Sequence, residues 1–62
     1  MKKVNTIKIL DNCYPEVNGK IVKVLIQFVN ENNETVFCTN MPHPEDKNAL
    51  LHVNESECKI IN

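Results

Sequence analysis

Residues 20–29 read KIVKVLIQFV, the most apolar run in the chain, and follow directly on Asn18-Gly19. A helical reading exists, since Ile21, Leu25 and Val29 keep a spacing of four. The density of β-branched residues and the preceding turn dipeptide favour a strand. As a strand, simple alternation puts Val22, Val24, Ile26 and Phe28 on one face, with Ile21, Lys23, Leu25, Gln27 and Val29 on the other. The first face is wholly apolar and the second half apolar. Such a strand needs cover on both sides, from the curl of a small barrel or from a neighbouring chain.

The polar cluster at 30–34 is a turn, and TVFCTN (35–40) returns as the partner strand of a hairpin. Alternation sets Val36 and Cys38 on one of its faces and Thr35, Phe37 and Thr39 on the other. Phe28 and Phe37 are both expected in the core. Upstream, VNTIKIL (4–10) reads as a first strand. In the connection 11–19, Asn18-Gly19 predicts a type I′ turn, with positive φ at both central residues. Residues 13–17 are expected to pair briefly there, and Pro15 confines that segment to an edge.

Downstream, Pro42 and Pro44 exclude a regular ladder. Beyond them ALLHV (49–53) is read as a strand that turns at 54–56 and pairs with ECKII (57–61). The competing reading is a short helix over 45–52, opened by Pro44-Glu45-Asp46 and presenting Ala49, Leu50 and Val53 inward. Ile60 and Ile61 require tying down as a strand, because a free apolar tail disfavours solubility. The sum is an all-β chain: a small five-stranded barrel or sandwich-like antiparallel sheet, one domain over 1–62, with a short helix near 45–52 as the variant.

With 62 residues, such a chain buries only about 60% of the surface it exposes when unfolded. Its core is worth about 3–5 kcal/mol, so a partner subunit, a metal, a disulfide or very regular strand packing is expected to help. The net charge is −1, with seven lysines and no arginine against eight carboxylates. Arginine is the usual reader of guanine and clamp of phosphate, and a basic excess is the usual footprint of nucleic-acid binding. Lys2 and Lys3 make a small basic pair, read as a solvated end. Nucleic-acid binding by a small β-barrel is therefore the secondary expectation.

No apolar run approaches the ~18 residues needed to cross a bilayer. MKKVNTIKIL lacks the apolar region and cleavage site of a signal peptide, which points to the cytoplasm. The glycosylation-type triplets at Asn33 and Asn54 then mark exposed turns rather than sugar sites. The abundance of Asn, Lys and Ile suggests AT-rich coding sequence, as in low-GC bacteria and phages.

Three cysteines, an odd number, do not suggest a disulfide framework in such a chain, and free cysteines commonly serve as small buried hydrophobes. A zinc-stabilised module is the sharper alternative, with Cys38, His43, His52 and Cys58 as four ligands of suitable type. Their spacing lacks the close C-x2-C pairs of structural zinc sites. No catalytic constellation stands out: Ser56 lies in a turn, and Glu45-Asp46 and Glu55/Glu57 read as solvated acids. No cofactor motif is present. Tyr14, beside Pro15, is the aromatic residue expected near the surface, either capping the barrel end or touching a partner. These features converge on a non-enzymatic protein-binding or regulatory module, phage- or mobile-element-encoded, acting by occupying a protein surface and forming a homodimer.

Overall fold

The computed structural model describes residues 3–62. Five strands run in chain order: β1 (Thr6–Ile9), β2 (Ile21–Val29), β3 (Thr35–His43), β4 (Asp46–Asn54) and β5 (Cys58–Ile60). All pair antiparallel in one open sheet, ordered β4-β3-β2-β1-β5. The all-β reading holds, and the unclosed sheet is sandwich-like rather than a sealed barrel. β2 belongs to both layers: residues 21–23 pair with β1, and residues 24–29 pair with β3. The core lies between the layers, where Ile7, Ile9 and Val22 meet Phe37, Leu51 and Val53.

A bulge lets β2 serve both layers. Val24 pairs with Thr39, but the next β3 residue, Cys38, pairs with Ile26, leaving Leu25 as the extra residue. One extra residue bends a strand, increases its twist and resets its alternation. The expected face of Val22, Val24, Ile26 and Phe28 is therefore split. Val22 is buried and Val24 packs on the core, while Ile26 and Phe28 are 60% and 40% exposed. Phe28 is thus outside the core and only Phe37 is fully buried. On β3 the expected alternation is found. Phe37 and Thr39 turn inward, while Val36 and Cys38 are covered outside the core cluster, on the opposite face.

The two hairpin loops differ from one another in their chemistry. Between β2 and β3, Asn30 Oδ1 accepts from the N–H groups of Asn32 and Glu34, at 3.0 and 2.9 Å. Asn33 closes this turn with φ of 66°, a conformation Asn tolerates better than most residues. Between β1 and β2, Asn18 has φ −67° and ψ 136°, and Gly19 has φ 89°. Those angles make a type II turn, corrected from the expected type I′, with the Lys20 N–H donating to the Val17 carbonyl at 3.2 Å. The expected pairing of 13–17 is also replaced. Pro15–Val17 form a 3-10 turn, for which the proline presets φ.

Residues 46–54 are strand, so the helix considered for 45–52 does not form. The expected hairpin between 49–53 and 57–61 is not found either. β4 pairs with β3, and β5 pairs with β1 through Ile7–Ile60, Lys8–Lys59 and Ile9–Cys58. The cause lies in Glu55–Glu57, a 3-10 turn closed by a capping box between Asn54 and Glu57. This short turn redirects the chain from one edge of the sheet to the other, which an ordinary hairpin turn does not do. Backbone bonds then hold the end: the Ile61 N–H donates to the Thr6 carbonyl at 3.0 Å. The side chains of Ile60 and Ile61 stay about half exposed.

Candidate binding surface

Nine large apolar side chains are exposed among the described residues, and five of them lie on β2: Ile21, Leu25, Ile26, Phe28 and Val29. Register gathers several onto one surface. Outside the bulge, Ile26 stands beside Cys38 and Phe28 beside Val36, and Cys38 in turn pairs with His52 of β4. The ring of Phe28 meets that of His52 edge-on, at 5.9 Å and 77°. The outer face of β2, β3 and β4 is therefore an apolar strip with buried Val36 and Cys38 at its centre. Leu25 is exposed at the bulge, and Leu50, two residues before His52, carries the strip along β4.

The outer face of the other layer is of opposite character. Lys8 and Lys59 are cross-strand partners, and Lys8 also pairs with Ile21. Like charges placed directly opposite each other disfavour a sheet. Lys3 is exposed, and Lys2 lies outside the described residues, so the basic pair expected there is only half described.

Tyr14 ties the β1–β2 connection to the tip of the β3–β4 hairpin. Its hydroxyl donates to Glu45 Oε1 at 2.6 Å, and its ring meets His43 edge-on at 5.0 Å. His43 Nδ1 accepts the Glu45 N–H at 3.0 Å, fixing the Pro44-Glu45 turn. The bond to the Glu45 carboxylate, with burial and nearby acids adding, pushes the Tyr14 phenol up to about 12. The connection itself is pinned by buried Asn12. That side chain accepts from the Tyr14 N–H at 2.9 Å and donates to Glu57 Oε1 at 3.3 Å.

Between this connection and β4 runs a groove of about 310 Å³, lined by Asn12, Tyr14, Leu50, His52, Asn54 and Glu57 among others. At the other end of the open seam a cleft of about 460 Å³ lies among Val4, Gln27, Phe37, Glu55 and Ile60.

The four candidate zinc ligands are not brought together. Cys38 and His52 are neighbours on the outer face, His43 is held against Tyr14, and Cys58 pairs with Ile9. No group of three or more His, Cys, Asp or Glu able to hold a metal occurs among the described residues. The cysteines also differ: Cys38 is buried as expected, Cys58 is half-buried, and Cys13 is exposed, against the expectation that all three are buried. Burial, reinforced by Glu55 and Glu57, pushes the Cys58 thiol up to about 11. Ser56 lies in an exposed turn.

Sequence reasoning missed the outer strip as a surface because alternation across the bulge assigned Ile26 and Phe28 to the core. No local signal marks the bulge, since Leu25 is as apolar as its neighbours. No helix among the described residues is long and apolar enough to cross a membrane. The chain matches no family model, no curated protein and no solved structure.

Proposed function

We propose that this chain is a small non-enzymatic binding module of the cytoplasm that acts by occupying the surface of a protein partner, with the outer face of β2–β4 as its contact area. The observation that carries this reading is the exposure of Leu25, Ile26 and Phe28 around an already covered centre of Val36 and Cys38. Large apolar groups on one exposed strip mark interaction surfaces more often than ordinary solvated ones. Self-association through the same strip, as a two-fold dimer, follows from it.

The strip is limited in size. Nine-residue strands at about 3.3 Å per residue and about 4.8 Å apart give three strands roughly 400 Å² of flat area. A stable interface buries about 800 Å² on each partner. The strip alone therefore suits a weak dimer, and a tight complex must also engage its flanks. The test compares the natural protein with Ile26→Asp, both tagged, as bait in cells of the source organism. A partner retained by the first and lost by the second supports the reading. A partner retained equally by both overturns the role of the strip.

A further inference from the structure

We infer that the free edge of β4 is a docking site for an extended, basic protein segment, which adds to the sheet as a sixth strand in the groove facing Tyr14. The inference rests on the reading of the chain as a protein-binding module, and it names a second surface and the chemistry of what binds there.

The direction of the backbone groups comes from one hydrogen bond. Among the described residues, β4 is the last strand of the sheet and pairs only with β3. The Asn54 N–H does not point to β3, because it donates to Glu57 Oε1 at 3.2 Å. Along a strand the N–H and C=O groups alternate sides. The groups of His52 and Leu50 therefore point the same way as the Asn54 N–H, toward the open edge, while those of Val53 and Leu51 face β3. Two observations agree with this phase. The Leu51 carbonyl accepts from Thr39 Oγ1 of β3 at 2.9 Å. Opposite Leu50 stands Pro42, which has no N–H to offer.

The edge is thus a short, defined template. It offers an N–H and a C=O at each of Leu50 and His52, and the Glu57 carboxylate occupies the next N–H along. Unpaired edge groups are what an added strand recognises. Both residues line the groove whose far wall is Asn12 and Tyr14, so an incoming strand would lie between two walls. The side chains of its alternate residues would face opposite ways. One set would extend the apolar strip beyond Leu50 and His52, and the other would face the groove.

Charge selects the occupant. Glu57 lines the groove and Glu45 is bonded to Tyr14 of its far wall, whereas no lysine is among the residues that line it. A strand alternating apolar and basic residues complements both walls. A second copy of this chain docked edge to edge would bring two such acidic rims together, which opposes that pairing. The occupant is therefore a segment of a different protein.

The test uses a capped peptide of about nine residues, the length of β4, alternating Lys and Val and labelled for fluorescence anisotropy at low salt. A matched Glu/Val peptide and two alternately N-methylated Lys/Val peptides accompany it. Because an added strand presents only every second N–H to its neighbour, one methylated form should bind like the parent. The other, and the Glu/Val peptide, should each bind about tenfold more weakly or worse. Amide exchange should slow at Leu50 and His52 when the parent peptide binds. His52→Pro, which removes an N–H from the free edge only, should fold and lose the peptide, whereas Leu51→Pro should unfold. Absence of binding by the parent, equal behaviour of the two methylated forms, or equal affinity for the Glu/Val peptide would each overturn the inference. Leu25→Asp separates the two surfaces: it should abolish self-association and leave peptide binding unchanged. If the peptide fails while Leu25→Asp still disrupts self-association, the edge is excluded and the strip stands.

Discussion

Thr39 shows how a single polar group can hold the β3–β4 hairpin together at its weakest point. β3 carries two residues more than β4 between the Cys38–His52 and Pro42–Leu50 pairs, so the ladder is interrupted there. Fully buried Thr39 fills the interruption. Its hydroxyl donates to the Leu51 carbonyl at 2.9 Å and accepts the Met41 N–H at 3.3 Å. Thr39→Val keeps the shape but leaves a buried carbonyl and a half-buried N–H without their partner, at a cost of about 1–3 kcal/mol. Urea unfolding measures it, and a loss within error of zero would contradict the role given to the hydroxyl. Two groups with raised pKa values make stability fall at alkaline pH. Cys58 rises from its ordinary 9.0 to about 11, and Tyr14 from 10.0 to about 12. Both bind their protons more tightly folded than unfolded, so the stability they support is complete below the ordinary values and is lost as pH rises through the folded ones. The urea midpoint should decline above about pH 9 on this linkage, and a rise would contradict it. Because Tyr14 is the sole tyrosine, phenolate absorbance reports it directly. Glu45→Gln should bring its titration down in pH.

At the scale of elements, the strands were legible where period and turn chemistry agreed. VNTIKIL and KIVKVLIQFV each contain the strand expected of them, TVFCTN begins one that runs on irregularly through Pro42 to His43, and the polar cluster at 30–34 makes the turn between the last two. Pairing was less legible. The separation between 49–53 and 57–61 resembles a hairpin, and only the Asn54–Glu57 capping box, a three-dimensional closure, sends β5 to β1. Asn18-Gly19 marked a turn correctly but not its type, because Asn18 keeps a negative φ when Gly19 alone supplies the positive one. The β1–β5 pairing carries a cost that can be removed. Lys8 and Lys59 face each other across it, and Lys8→Glu turns a repulsive cross-strand pair into an attractive one. The expected gain is about 0.2–1 kcal/mol, read as a higher urea midpoint at low salt. An unchanged or lower midpoint would mean that the two side chains avoid each other in solution.

The whole molecule divides its surface by chemistry. Glu45 and Glu57 stand at the groove along the edge of β4, Lys8 and Lys59 stand on the outer face of the β1–β5 layer, and an apolar strip covers the outside of β2–β4. Composition showed the near-neutral sum of these charges but not their separation, which depends on which strands become neighbours. The apolar strip was half legible, as a strand requiring cover on both faces. The bulge at Leu25 decides which side chains need that cover, and a bulge has no signature in a uniformly apolar run. The two proposed surfaces adjoin at β4, where His52 contributes its ring to the strip and its backbone to the edge. Sedimentation velocity across the micromolar range, comparing the natural chain with Ile26→Asp, tests the strip most directly. The strip predicts concentration-dependent dimerisation of the natural chain and a monomer for the variant. A natural chain that remains monomeric throughout, or a variant that dimerises equally well, would contradict it.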